Sequence, residues 1–474
     1  MQNKIIMAAI AAALAFPAVA MADSATDLIN VLIKKGVLTR EEGDLLMKGR
    51  TGEKEAETKK KESEVITSFK DGISWESADK EFKMSLNGRV QADYRQFSSP
   101  ATTKPNTFDI RRGYLGVKGK FYKNIEFETT ADFAKSTTVM TDYWVNLNYW
   151  ELAQFKFGQF KMPMGMEELG SSRFINFQER SMAMSLVPSF DRGIQLHGIP
   201  RKGITYALAV SNGNMTNTGL QNTTEPTGGS AANDGKDVTG RLTVNIANQM
   251  DNMSDAVIHV GGAFSRGTQD GNATLLTMAT EARGGTFFST KAGGYTAGNK
   301  VKVGRNAFEL GLATGPVKFT SEYVKANFNN DAAGATNIAA GNRDLKSWYA
   351  AINWNITGES YAPTYAGGKF GSRLKPNQNF TGSGSGLGAW EVGMRYSKFD
   401  ASNFAVADLL VATATNVMAT SADATTLGLK WIVNPHTRFL ANYVKTNFKN
   451  ATGTALVGGS SNEKAVTFRG QVDF

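Results

Sequence analysis

The chain ends Val466-Thr467-Phe468-Arg469-Gly470-Gln471-Val472-Asp473-Phe474. Apolar or small residues stand at every second position, with Thr, Arg, Gln and Asp between them. Successive side chains of a strand point to opposite faces, so this stretch reads as a β-strand with one apolar and one polar side. The period is the same near the other end. Phe82, Met84, Leu86, Val90, Ala92 and Tyr94 alternate with Lys83, Ser85, Asn87, Arg89, Gln91, Asp93 and Arg95. A lysine or arginine on the lipid face of a spanning strand costs roughly 2–4 kcal/mol at mid-membrane. The apolar set is therefore expected to face acyl chains and the charged set a watery lumen. Ile125, Phe127 and Ala131 against Glu126, Glu128 and Asp132 repeat the pattern, as do Trp390, Val392, Met394 and Tyr396.

About sixteen such segments are marked by this period. They run from 82–97 and 107–121, through 141–152 and 424–433, to 463–474. Each is near the ~10 residues of a tilted spanning strand. Short turns at 122–124, 200–202, 314–316 and 434–436 alternate with long polar loops at 162–190, 212–235, 267–300, 329–343, 400–423 and 449–462. Transmembrane barrels have this asymmetry, with short turns on the periplasmic side. The connector 358–388 breaks the rule, being long on the short-turn side. The expected class is all-β membrane: an antiparallel transmembrane β-barrel of about sixteen strands, with a short N-terminal periplasmic helical segment.

Residues 1–22 carry one charge, Lys4, then an apolar run and the ending Ala20-Met21-Ala22, which reads as a secretory signal peptide. Removing Lys4 takes the net charge from +9 to +8. Residues 23–64 are expected to form a helical hairpin and a charged tether. Leu28, Ile29, Leu32 and Ile33 have helical spacing, and Thr39-Arg40-Glu41-Glu42 reads as a capping box. Residues 65–474 are then the barrel. After Ala22 no run approaches the ~18 apolar residues of a spanning helix. A mean hydropathy of −0.29 agrees with a barrel that turns only alternate residues to lipid.

The absence of cysteine excludes disulfides, c-type haem attachment and thiolate metal sites. His197, His259 and His436 lack metal-binding spacing, no GxSxG elbow occurs, and the glycine-rich 384–389 lacks a surrounding βαβ unit. No catalytic residue, metal or cofactor is expected. The basic charges are interleaved with lipid-facing residues rather than gathered in a patch, so no nucleic-acid partner is expected either. A sixteen-stranded barrel is wide enough for an aqueous channel whose selectivity is set by charged side chains at its narrowest point. The cationic candidates are Arg89, Arg111, Arg112, Lys118, Lys161, Arg173, Arg180 and Arg192, with Glu126, Glu128 and Asp132 as candidate partners. Arg111 and Arg112 are neighbours on one strand. For both to matter, one must reach the lumen through a bulge or sit at the headgroup rim.

Several segments carry a family resemblance. They are Phe108-Asp109-Ile110-Arg111-Arg112-Gly113-Tyr114-Leu115, Lys156-Phe157-Gly158-Gln159-Phe160-Lys161, Gly165-Met166-Glu167-Glu168-Leu169-Gly170-Ser171-Ser172-Arg173 and Glu179-Arg180-Ser181. Thr357-Gly358-Glu359, Gly388-Ala389-Trp390-Glu391, Arg395-Tyr396, Asn442-Tyr443-Val444 and the last strand complete the set. In this order they resemble the phosphate-selective porin O and P family of Gram-negative outer membranes. The resemblance implies a homotrimer of sixteen-stranded barrels, each with loop 162–190 folded into its pore. It implies that Arg111 and Arg112 line the anion path, with Asp142 near the central site and Arg173 on the inward loop. Glu168 stands where strongly phosphate-selective members carry lysine, and the arginine-rich ladder of a later loop is reduced to Arg283, Lys291 and Lys300.

The function expected is passive diffusion of small anions, phosphate or polyphosphate among them, past Arg111, Arg112, Arg173, Asp142, Arg89, Lys161 and Arg180. A general porin for other hydrophilic solutes and a surface-interaction or envelope-structural barrel are the alternatives. Expected partners are outer-membrane lipid and lipopolysaccharide, small anionic solutes, two further copies of the chain, and the barrel-assembly machinery through the terminal Phe474.

Overall fold

The computed structural model describes residues 24–62, 65–69, 72–98, 105–136, 138–213, 235–250, 253, 255–270, 276–290, 300–330, 341–384, 386–404, 418–450 and 461–474. The signal-peptide segment lies outside the described residues. Two units are distinguished, and the first holds the N-terminal helices α1 (Ser24–Lys34) and α2 (Arg40–Glu62). The capping box forms as the spacing requires. Thr39 N–H donates to Glu42 Oε2 at 2.9 Å, and Glu42 N–H donates back to Thr39 Oγ1 at 3.2 Å. Gly43 lets α2 lie against α1, since a Cβ there would stand 2.4 Å from Ile33 Cδ1. The charged stretch read as a tether instead continues α2 through Glu62. Its lysines, glutamates and alanine are strong helix formers, so loss of the apolar period does not end the helix.

The second unit is a closed barrel. Its strands are β1 (Lys83–Phe97), β2 (Thr107–Phe121), β3 (Ile125–Asp132), β4 (Val139–Leu147), β5 (Gln154–Lys161), β6 (Phe190–Arg201), β7 (Ile204–Ser211) and β8 (Asp237–Asn245). They continue as β9 (Ala256–Asp270), β10 (Lys300–Thr314), β11 (Val317–Asn330), β12 (Gly341–Asn355), β13 (Ala389–Asp400), β14 (Ala419–Asn434), β15 (Thr437–Asn450) and β16 (Asn462–Asp473). Each pairs antiparallel with the next, and β16 closes on β1. Strand β4 stops at Leu147, earlier than the period suggested, and β14 starts at Ala419, earlier than 424. Closure removes every sheet edge, which a bilayer requires because it offers no partner for a free N–H or C=O.

At the seam the last residue is locked. Gly88 and Phe474 exchange backbone hydrogen bonds at 2.9 and 3.0 Å. The Phe474 ring covers Gly88 so closely that a Cβ there would lie 2.4 Å from it.

The two faces sort as the period predicts along β1: Asn87, Arg89, Gln91, Asp93 and Arg95 are buried inside, while Val90 is 53% exposed outside. Aromatic side chains gather at the short-turn rim, where Trp390 stacks on Trp431 at 5.4 Å and Trp431 on Phe439 at 5.8 Å. Such girdles mark membrane interfaces.

Toward the long-loop ends of β10–β15 the faces exchange character. Val301, Val303, Val324, Leu345, Phe399 and Phe448 point inward and are buried. A second loop accounts for this. Its ribbon, Thr277–Ala279 paired with Thr286–Ser289, folds into the barrel and seats Met278, Phe287 and Phe288 on that wall. The connector 358–388 also turns inward, carrying a hairpin of Tyr365–Ala366 and Lys369–Phe370. Among the described residues three segments therefore enter the lumen, not loop 162–190 alone.

The lipid face generates a direct expectation. Val90→Lys should lower barrel stability by roughly 2–4 kcal/mol, from the cost of a mid-membrane lysine. Urea unfolding in phospholipid vesicles measures it, and an unchanged midpoint would show that Val90 does not face hydrocarbon.

Candidate functional site

Loop 162–189 enters the barrel after β5 and is pinned from several sides. Its short helix α3 (Met166–Leu169) starts on Glu322 of β11, which accepts the Met166 and Glu167 N–H groups at 2.7 and 2.8 Å. Tyr349 O–H holds the same carboxylate at 2.8 Å. Further along, Arg438 and Gln471 donate to the Arg173 carbonyl at 3.0 and 3.1 Å, and the Gln178 N–H donates to Asn442 Oδ1 at 3.1 Å. Polar inward positions of the far wall thus satisfy the backbone of a loop that water cannot fully reach.

Between this loop and the wall β1–β6 runs a polar cavity of about 810 Å³. Arg89, Arg111, Arg112, Asp142, Lys161, Arg173 and Arg180 all line it. Two bulges explain how adjacent residues do so. Gln91 lies opposite Arg112 and Ala92 opposite Ile110, leaving Arg111 as the extra residue. Likewise Thr130 faces Asp142 and Ala131 faces Met140, leaving Thr141 extra. A bulge re-aims a side chain without ending the sheet.

The cations differ in what holds them. Arg111 makes a two-pronged contact with Glu179, at 2.7 Å and 3.1 Å. Arg112 donates to Gln91 Oε1 at 2.9 Å and lies 3.7 Å from Glu179. Arg469 of β16 reaches the same carboxylate at 3.0 Å. The partner of the arginine pair is thus on the inward loop, not Glu126, Glu128 or Asp132 on the neighbouring strand. Burial alone would raise the Glu179 carboxyl, but Arg111, Arg112 and Arg469 outweigh it and hold it well below the usual range. It stays ionised and cancels part of their charge.

Lys161 and Arg180 form a clamp. Arg180 donates to the carbonyls of Glu167 and Gly170 at 3.0 and 2.7 Å, and Lys161 to those of Glu168 and Gly170. Both also flank the Glu168 carboxylate, at 3.2 and 3.6 Å, and Ser189 O–H donates to it at 2.8 Å. Glu168, on the cavity wall, is therefore a buried carboxylate whose charge is offset by two cations.

Arg89 and Arg173 are different. The Arg89 guanidinium sits 3.9 Å from the Tyr114 ring centroid, and Arg173 donates to Asn87 Oδ1 at 2.9 Å. Among the described residues neither has a carboxylate at ion-pair distance. Lys118 of β2 also lines the cavity, opposite Glu128 of β3. Arg192 does not belong here. It shares strand parity with the outward Ile194 and Leu196, is exposed, and donates to Gln159 at 3.2 Å.

Sequence reasoning missed Lys369, which the connector hairpin brings to the same cavity. The anomalous length of 358–388 was the only signal. It also missed Glu179 as the counter-ion, and Glu281, which the second loop inserts against Arg395 at 2.6 Å.

The clamp predicts what Glu168→Lys does. Three cations would crowd one buried space, at a cost of about 3–5 kcal/mol for breaking a buried ion pair. The expected result is a looser loop, seen as a noisier and larger single-channel conductance. A quiet channel with stronger phosphate block of chloride current would overturn the clamp.

The family model for phosphate-selective porin O and P matches residues 84–474. Porin O of Pseudomonas aeruginosa is 27% identical over 421 residues, spanning 82% of this chain and 89% of its own. Among solved structures, OmpT of Vibrio cholerae aligns over 83% of this chain and 99% of its own, with 10% identity and a TM-score of 0.48. The anion-selective porin of Comamonas acidovorans aligns over 83% and 100%, with 12% identity and a TM-score of 0.47. With its closed sixteen-stranded barrel and a family match over most of its length, the chain belongs to the phosphate-selective porin O and P family of outer-membrane porins.

Proposed function

We propose that this porin favours small anions, phosphate-like oxyanions among them, and that Arg89 and Arg173 carry the preference. The supporting observation is the division of charge across the cavity. Glu168 and Glu179 are each neutralised by two or more cations, whereas Arg89 and Arg173 line the cavity with no carboxylate at ion-pair distance among the described residues. Arginine presents a planar fork that matches carboxylate and phosphate oxygens. The chemistry needed is weak and transient: cationic groups replace part of the solute's hydration and release it again. Arg111 and Arg112 act with Glu179 as a partly compensated pair that sets the wall of the path. The homotrimer is part of the same proposal, and OmpT of Vibrio cholerae is described in a trimer form.

Asp142 and Glu128 on the facing wall favour a second reading, in which the channel also passes neutral hydrophilic solutes. Liposome swelling in neutral sugars tests that second reading, and zero-current potential across a potassium chloride gradient in planar bilayers tests the anion preference. The wild type is expected to be anion-preferring, and Arg89→Gln with Arg173→Gln should bring it close to parity. A cation-preferring wild type would overturn the proposal.

Lys369 adds a pH dependence. Burial, then the nearby Arg241 and Lys156, pull its ammonium down to about 8. Below that pH it is charged and adds to the anion preference, and above it the charge is lost. Anion preference should therefore fall between pH 7 and pH 9, and Lys369→Arg, which stays protonated, should remove that part of the fall. An identical profile in the variant would place Lys369 outside the ion path.

A further inference from the structure

A buried row of polar side chains crosses the seam where β16 closes on β1. In the sheet register Gln471 stands opposite Gln91, and Gln91 opposite Arg112 of β2. Both glutamines are buried inside the barrel. Gln471 Nε2 donates to Asp473 Oδ2 at 2.8 Å, Gln91 Nε2 to Gln471 Oε1 at 2.7 Å, and Arg112 Nη1 to Gln91 Oε1 at 2.9 Å. The two ends fix the direction of the row, because a guanidinium only donates and a carboxylate only accepts. Gln91 must turn its oxygen to Arg112, and Gln471 its NH2 to Asp473. Either end alone demands the same polarity of both amides. Arg438 and Arg373 anchor the carboxylate, at 3.2 and 2.5 Å.

Each amide NH2 carries two donors, so the row has one to spare at each glutamine. Both go to the inward loop. Gln91 Nε2 donates to the Ser172 carbonyl and Gln471 Nε2 to the Arg173 carbonyl, each at 3.1 Å. Two consecutive loop carbonyls are thereby held beside the seam. From there the Arg173 side chain reaches Asn87 Oδ1 at 2.9 Å and lines the cavity. Arg112, the far end of the row, lines the same cavity, whereas neither glutamine does.

We propose that Gln91 and Gln471 are positioning residues of the anion path: they place Arg173 and tie it to Arg112, so that two cations on different elements keep one spacing. The proposal rests on the reading that Arg173 attracts the permeating anion. Both glutamines are neutral and lie off the cavity, so their effect passes through the arginines. Loss of Gln471 leaves no partner stranded. The Arg173 carbonyl keeps Arg438 at 3.0 Å, Asp473 keeps both arginines, and Gln91 keeps the Ser172 carbonyl. A variant of similar volume without the amide is therefore expected to fold.

Phosphate block of the chloride current through the full-length porin in planar bilayers provides the test. Gln471→Met should weaken the block about fivefold, the worth of one hydrogen bond, with single-channel chloride conductance within about twofold of wild type. Gln91→Met should do the same. In an Arg173→Gln background Gln471→Met should add less than about twofold, since a residue acting through Arg173 has nothing left to act on. Unchanged block in both glutamine variants, or a full further loss in the Arg173→Gln background, overturns the proposal. So does altered conductance with unchanged block, which would make the row a support of the loop alone. Arg173→Gln by itself reports on the underlying reading. A block that survives it removes Arg173 from the anion site and the positioning role with it. A block lost there but kept in both glutamine variants overturns the positioning role only.

Discussion

Hydrocarbon offers no hydrogen-bond partner, so every backbone group in the spanning region must bond to another strand. Closure of β16 on β1 follows from that, and the alternation of side chains follows from closure. Half of the residues are then committed to lipid and half to the interior. The interior half carries charges that are costly to bury unless paired. Arg469 with Asp93 at 2.7 Å, Arg241 with Glu309 at 2.6 Å and Lys430 with Glu391 at 3.0 Å are the result. Breaking one such pair by removing a partner leaves an uncompensated charge, so these contacts hold the wall and the loops to a single arrangement.

The same pairing decides which cations are left for the solute. A count of arginines and lysines around the cavity says little, because Lys161 and Arg180 are occupied by the loop's own carbonyls and by Glu168. Arg111 and Arg112 are half occupied by Glu179. Among the described cations of the cavity, those without a carboxylate at ion-pair distance include Arg89, stacked on a tyrosine ring, Arg173, oriented by an amide, and the ammonium groups of Lys118 and Lys369. Neither the ring nor the amide cancels a charge. On the proposed reading, selectivity in this pore is a property of the pairing pattern, and one carboxylate moved by mutation shifts it as surely as one arginine.

The strands were legible in the sequence because period-two alternation is a local signal enforced by lipid. Lys83 to Phe97 and Asn462 to Asp473 show it residue by residue. The bulge at Arg111 was legible only as a conflict, two adjacent arginines that one face cannot accept. The inward loops had no such signal. Their contacts join residues far apart in the chain, as when Glu281 meets Arg395 and Thr426, and no spacing rule announces them. Lys369 was hidden for the same reason, and Glu168 misled because its sign was visible while its two cationic neighbours were not. The charged run after Thr51 was misread for a different cause: helix propensity persists where amphipathic period does not.

The second inward loop restricts where the path can run. Phe287 and Phe288 are fully buried against Phe399, with ring centroids 5.6 and 5.1 Å away, and the inward wall there is valine, alanine and leucine. With that apolar core on one side, the polar cavity beside β1–β6 and loop 162–189 is the proposed ion path. Charges away from that path then serve structure. Arg241, Glu309 and His259 form one buried group, with Tyr365 O–H on the histidine at 2.8 Å, and hold the connector hairpin through the Gly368 carbonyl. That hairpin presents Lys369 to the open side. In the proposed ion path this buried group therefore acts indirectly, by fixing the position of the Lys369 ammonium.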